Sequence, residues 1–139
     1  MNLWKIRIAM GSPAAKKRFL SSPAFGVVGA SNDRSKYGNR VLRKYWQHHL
    51  KAYPVNPHES TIEGETVYRS IADLPKSVRS LSIVTPPEVT ESIVDQAIAH
   101  GIENLWMQPG AESPGAVQRA HDAGLNVIAD GDCLLVELG

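Results

Sequence analysis

A single cysteine, Cys133, leaves this 139-residue chain no internal disulfide to form. Five scattered histidines with that one thiol offer no metal-ligand spacing, so zinc and iron–sulfur chemistry are not expected. No stretch approaches the roughly 20 consecutive apolar residues of a membrane span. A net charge of +1 with 42% hydrophobic residues argues against disorder. Length and composition fit one globular domain of cytoplasmic type, with no space for a second.

Acidic residues are also missing from one part of the chain. Met1 to Asn32 holds five bases and no acid, Arg34 to Lys51 holds six bases and no acid, and residues 52–139 hold thirteen acids against four bases. A positive field confined to the first third suits a compact polyanion such as a phosphorylated nucleotide. It is too narrow for a long nucleic acid.

Residues 1–24 read as a basic leader followed by a short helix over Pro13–Leu20, with Ser12 as cap and Pro13 in the first turn. Two readings stand here. The acid-free start resembles a mitochondrial presequence, with Arg18-Phe19-Leu20-Ser21 as a processing site and Met10 as an alternative start. Alternatively, the helix docks Phe19 and Leu20 against a sheet edge in a cytoplasmic protein.

Residues 25–139 then alternate strands with helices. Apolar runs at Phe25–Val28, Ala52–Val55, Leu81–Val84, Ile102–Met107 and Leu125–Ala129 predict five strands, and Cys133–Val136 a short final one. Helices are predicted over Gly38–Leu50, from Thr85 to Gly101, and from Ser113 to Gly124. The second opens on a capping box between Thr85 and Glu88 and carries an apolar stripe of Val89, Ile93, Val94, Ala97 and Ile98; the third is capped by Ser113 with Pro114 first. Between His58 and Arg79 a loop is expected, with a small extended piece near Thr66–Tyr68. Such alternation implies right-handed crossovers and a doubly wound α/β parallel sheet, with strand order 2-1-3-4-5.

Ligands of such sheets sit beyond the carboxyl ends of the strands, which selects four loops. In the first, Gly29, Ala30 and Ser31, then Lys36, Tyr37 and Gly38, leave backbone amides before a helix start, where phosphate binds. Gly29 is read as letting the backbone approach that phosphate, and Ser31 as a hydroxyl donor. Ser31 in place of a second glycine and the long gap to Gly38 depart from the dinucleotide pattern G-x-G-x-x-G. The second strand ends in Asn56 and Pro57, not in the acidic residue that holds the ribose of nicotinamide cofactors. Such an end tolerates an extra ribose phosphate, as on NADP or coenzyme A. Asn56 and Pro57 also suit a plain strand-ending turn.

Taken in order, Gly29-Ala30-Ser31, Lys36-Tyr37-Gly38, Pro54-Val55-Asn56-Pro57, Val84-Thr85-Pro86-Pro87, Trp106-Met107-Gln108-Pro109-Gly110-Ala111 and Cys133 resemble the stand-alone coenzyme A (CoA)-binding domain family. That family is similar to the amino-terminal CoA-binding domain of the succinyl-CoA synthetase alpha subunit. The resemblance implies a Rossmann-like domain binding CoA or an acyl-CoA, with Gly29–Gly38 around the pyrophosphate, Asn56 and Pro57 near the adenosine, and Thr85, Pro86 and Pro87 beside the nucleotide. Gln108, Pro109 and Gly110 complete the candidate site. The synthetase's phosphorylated histidine belongs to a second domain, so binding is carried over and catalysis is not.

No catalytic constellation is evident among the remaining residues. His48, His49, His100 and His121 fall at helix ends, where they suit the macrodipole, and only His58 follows a ligand-facing strand. Asp130 and Asp132 flank Gly131 in a turn, and Trp4, Trp46 and Trp106 read as packing residues. Cys133 fits a small buried hydrophobe or a thiol beside the crevice. A nicotinamide-dependent oxidoreductase and a non-catalytic scaffold subunit are the alternatives to a CoA-binding module. Neither a metal, a nucleic acid nor a membrane is expected as partner.

Overall fold

The computed structural model describes residues 12–139. The acid-free leader, with Trp4 and Met10, lies outside the described residues. Helix α1 (Pro13–Leu20) begins as its sequence predicts, Ser12 accepting the Ala15 amide at 3.1 Å with Pro13 at the first position. There follow β1 (Ala24–Val28), α2 (Tyr37–Gln47), β2 (Ala52–Val55), the two-residue strands β3 (Thr61–Ile62) and β4 (Glu65–Thr66), and a 3₁₀ turn at Ile71–Asp73. The chain continues through β5 (Val78–Ile83), α3 (Pro87–His100), β6 (Asn104–Met107), α4 (Pro114–Asp122), β7 (Asn126–Ile128) and α5 (Leu134–Leu138).

Five strands form one parallel sheet in the order β2-β1-β5-β6-β7. Counting main-sheet strands along the chain, this is the expected 2-1-3-4-5. Both faces are covered, so β1 is buried at all five positions and reads as a continuous apolar run. On one face α3 and α4 pack Ile93, Val94, Ala97, Ala116 and Ala120 against Leu81, Ile83, Leu105 and Met107. On the other, α1, α2 and α5 pack Phe19, Val41, Leu42, Tyr45 and Leu134 against Phe25, Val27, Trp106 and Ile128. Phe19 is fully buried, edge-on to Trp106 at 5.3 Å and 5.6 Å from Phe25. It therefore reaches the interior strands β1 and β6 and is not confined to the sheet edge. Ser80 fixes the end of α1 by donating to the Phe19 carbonyl at 2.7 Å.

Four local expectations are corrected. Cys133–Val136 is not a strand: Cys133 is the N-cap of α5, because that apolar segment packs its Leu134 under α2 instead of pairing with β7. The capping box is absent, since the prolines at 86 and 87 start α3 and Thr85 bonds Thr90 (Oγ1 to Oγ1, 2.8 Å), not Glu88. The stripe of α3 turns inward through Thr90, Ile93, Val94 and Ala97, leaving Val89 and Ile98 exposed. The 58–79 segment is not a loop with one isolated extended piece: the piece expected near Thr66–Tyr68 is present as the end of β4 and the bridge from Tyr68 to Val55, and β3 pairs with β4 in a hairpin.

Among the described residues no helix is long and apolar enough to cross a membrane, and no cluster of three or more His, Cys, Asp or Glu side chains is positioned to hold a metal ion.

Candidate functional site

The site is built where β1, β2 and β5 end together. Gly29 follows β1 with φ +91°, and its amide donates to the Val55 carbonyl of β2 at 3.2 Å. A Cβ on Gly29 would sit 2.4 Å from the Val84 carbonyl oxygen. The positive φ and this close approach to the chain's own β5 end both require glycine here. Nine residues later, a Cβ on Gly38 would lie 2.1 Å from the Gly29 carbonyl oxygen. The two glycines that are far apart in sequence are in backbone contact, and this seats the first turn of α2 directly on the end of β1.

The intervening loop is held by side chains that turn its carbonyls away. Asn56 Nδ2 donates to the Ala30 carbonyl at 2.8 Å, while Asn56 Oδ1 accepts the His58 amide at 2.7 Å. Asn39, fully buried in α2, donates to the Ser31 carbonyl at 2.8 Å and accepts from Arg43 Nε at 2.7 Å. Ser31 Oγ accepts the Asp33 amide at 3.0 Å, which ties its oxygen to the loop and leaves its proton free to donate. Asp33 accepts from the Ser35 hydroxyl and amide, and these bonds hold its carboxyl below the usual range. No side chain caps α2. The amides of Ser31 and Asn32 have no acceptor among the described residues, and those of Tyr37 and Gly38 are orphaned as the first two of a helix. Positive helix-end potential and free donors thus coincide.

The β3–β4 hairpin is latched onto this loop. Asn32 donates to the Thr61 carbonyl at 2.8 Å, and Glu63 pairs with Arg34 at 3.2 Å and Arg43 at 3.8 Å. Lys36 and Arg69 are exposed and enter no ion pair among the described residues.

Beside the loop, on the α3 side, a cavity of about 260 Å³ opens between Gly29, Pro57 and Thr85. Its walls are apolar at Val28, Val55, Ile71 and Ile93, with Arg69, Ser92 and Gln96 adding polar groups. The structure therefore gathers Gly29, Pro57 and Thr85 around one cavity, ties Ala30 to Asn56, and groups Ser31, Lys36, Tyr37 and Gly38 at the start of α2. Pro86 and Pro87 are exposed at the start of α3. Gln108, Pro109 and Gly110 follow β6 and do not line that cavity. Gln108 is fully buried, accepting the Leu134 amide at 2.9 Å, while Pro109 borders a separate cleft with Glu112 and Asp130. A larger cleft of about 390 Å³, walled by Trp46, Tyr53 and Tyr68, runs along β2 and includes none of the loop residues.

Sequence reasoning missed Asn39, Arg69, Ser92 and Gln96. Asn39 alone carried a signal, since asparagine is a poor helix former that earns a place in a first turn by bonding nearby backbone. His58 is exposed beyond β2, and Trp106 is packed as expected, its Nε1 donating to the Asp132 carbonyl at 3.0 Å.

Comparison with known proteins agrees with this fold. The chain is 26% identical over 121 residues to the acetate–CoA ligase (ADP-forming) II subunit alpha of Pyrococcus furiosus, a match covering 79% of this chain and 26% of that protein. A match to the acetate–CoA ligase (ADP-forming) of Methanocaldococcus jannaschii covers 12% of that protein, so this chain spans about a quarter or less of these curated relatives. Among solved structures, a conserved hypothetical protein from Pyrococcus furiosus superposes with a TM-score of 0.78 at 38% identity, covering 82% of this chain and 97% of that one. The dinucleotide-forming acetyl-coenzyme A synthetase 1 of Candidatus Korarchaeum cryptofilum, in complex with phosphate and ADP, gives 0.73 at 28% identity, over 83% of this chain and 27% of that one. Residues 24–139 match the family model described as a CoA binding domain, and with nearly the whole chain inside that match, the protein belongs to the CoA-binding domain family.

Proposed function

We propose that this chain binds CoA or an acyl-CoA through the nucleotide end of the molecule, at the carboxyl edge of the sheet. The observation that carries the reading is the contact of Gly38 with Gly29, which presents uncapped α2 amides beside a loop whose carbonyls are tied back. The pyrophosphate lies on the amides of Ser31, Asn32, Tyr37 and Gly38, with Lys36 supplying charge. The cavity of about 260 Å³ is just below the roughly 300 Å³ at which pockets for drug-sized ligands begin. It suits one ring system, the adenine, with Asn56, Pro57, Thr85, Pro86 and Pro87 around the nucleoside and Arg69 at its rim.

The CoA-binding unit is assigned to residues 25–139, with the helix within residues 1–24 as a docking element. Its role is ligand binding without catalysis. The ligase names of its relatives fit CoA as the ligand, and their remaining length is where their chemistry has space.

Calorimetry with CoA, acetyl-CoA, 3′,5′-ADP, NADH and NADPH tests this. CoA and acetyl-CoA are expected to bind with similar affinity and to be displaced by 3′,5′-ADP, with no comparable binding of either nicotinamide. Tight binding of an acyl-CoA without binding of CoA or 3′,5′-ADP, or a preference for NADPH, would overturn the reading.

A further inference from the structure

Tyr37 has two contacts of different kind. Its amide belongs to the uncapped start of α2, and its hydroxyl hydrogen-bonds the Cys133 sulfur, 96 residues further along the chain. Burial first, and then the contact with Cys133, hold its phenol far above the usual range, so it stays a neutral hydroxyl near neutral pH. Cys133 is half-buried at the N-cap of α5. Its turn is fixed on both sides. The Asp132 carbonyl accepts from Trp106, and the Asp132 carboxylate is taken up in an ion pair by Lys16 of α1, which also bonds Glu137 at 3.2 Å.

The fully buried Gln108 provides an independent observation. Its Oε1 accepts the amide of Leu134, the residue next to Cys133, while its Nε2 is buried without a partner among the described residues. Buried donors without acceptors are rare and each asks for an explanation, an acceptor from outside the chain among them. A spare carboxamide donor on the side chain that holds the residue after a half-buried thiol, with that thiol joined by one tyrosine to the uncapped helix start, matches a ligand with phosphates at one end and amide carbonyls leading to a sulfur at the other.

We propose, building on the CoA reading, that Tyr37, Gln108 and Cys133 form a subsite for the thiol end of the pantetheine arm, and that Cys133 exchanges there with CoA disulfide. The Cys133 thiolate attacks one sulfur of CoA disulfide. A protein–CoA disulfide bond forms as the CoA–CoA disulfide bond breaks, and the departing CoA thiolate takes a proton from water. CoA disulfide is the oxidant, one CoA thiol is released per protein modified, and Gln108 Nε2 donates to a pantetheine carbonyl.

The native chain is incubated with CoA disulfide or with glutathione disulfide, and intact mass is followed in time. One CoA adduct on Cys133 is expected, absent in Cys133→Ser, formed at least tenfold faster than the glutathione adduct and slowed by 3′,5′-ADP. Gln108→Met, which removes the spare donor, is expected to slow the exchange at least threefold, and an unchanged rate overturns the proposal. If that variant does not fold, the ratio between the two disulfides on the native chain decides. Equal rates with both disulfides, or no adduct while calorimetry shows CoA binding, overturn the subsite and leave the CoA reading standing. No CoA binding together with unselective modification overturns both.

Discussion

Gly38→Ala is the sharpest perturbation of the proposed site, because one methyl group is placed between two backbones. The added Cβ meets the Gly29 carbonyl oxygen at 2.1 Å, the Gly29 carbonyl carbon at 2.9 Å and the Ala30 Cα at 3.2 Å, with no flexible side chain to yield. The start of α2 must retreat by about 1 Å to restore even a tight carbon–oxygen contact. Overpacking of this kind costs about 1–3 kcal/mol, and contact with backbone on every side points to the upper end. Interpolating between size classes, a domain of this length loses roughly 4 °C of Tm per kcal/mol, so a drop of about 10 °C is expected. The same retreat withdraws the Tyr37 and Gly38 amides from the phosphate. Hydrogen bonds to a charged group contribute about 1.5–3 kcal/mol each, so even one lost bond predicts at least a tenfold weaker Kd for CoA. Thermal denaturation and calorimetry measure the two effects on the same sample. A variant with unchanged Tm and CoA affinity within twofold of the parent would refute both the contact and the placement of the ligand.

Three further outcomes are expected. Asn56→Asp keeps the acceptor for the His58 amide but sets a carboxylate against the Ala30 carbonyl, so it should weaken 3′,5′-ADP binding more than it lowers Tm; equal affinity to the parent in calorimetry would remove Asn56 from the site. Tyr45→Phe leaves the buried Ser82 hydroxyl without its 2.6 Å partner at a cost of about 1–3 kcal/mol in denaturant unfolding, whereas the double variant with Ser82→Ala should recover part of that loss. Lys16 titrates above its ordinary 10.5: burial alone would lower it, but its bonds to Asp132 and Glu137 outweigh that. Its stabilisation is therefore complete below pH 10.5 and disappears as pH rises through the folded value, so the Tm gap between the parent and Lys16→Met should narrow only in strongly alkaline buffer; a gap constant through that range counts against the ion pair.

The alternation of elements was legible because punctuation and periodicity agree along most of the chain. Pro13, Pro87 and Pro114 each fall in a first helical turn, and Gly101 and Gly124 leave α3 and α4 with φ +86° and +83°. The misreadings have local causes. Four apolar residues at Cys133–Val136 suit a strand as well as a buried helix, and tertiary context, the Gln108 side chain accepting the Leu134 amide, decides for the helix. Glu63-Gly64 is a two-residue turn with both φ values positive, +50° and +80°, but glutamate is an unusual first residue there. Two arginines from the glycine loop and α2 hold it in place, and nothing local in the sequence announces them.

If the proposed CoA reading holds, the candidate site shows why spacing is an incomplete guide to a phosphate loop. Judged by G-x-G-x-x-G, the gap from Gly29 to Gly38 is too long, yet the three-dimensional requirement is a backbone contact, which any intervening length can meet if the loop returns. Here the return is enforced by Asn39 and Asn56, each bonding a carbonyl of the outgoing strand of the loop. Those bonds also decide polarity, since a loop whose carbonyls are occupied presents its amides. The same two asparagines therefore set both the shape and the sign of the site. It follows that replacing them should damage anion binding even where no ligand atom touches them, whereas Lys36, exposed and in no ion pair among the described residues, contributes charge and little geometry. Raising ionic strength should accordingly erode the contribution of Lys36 and leave that of Asn39 and Asn56 nearly intact.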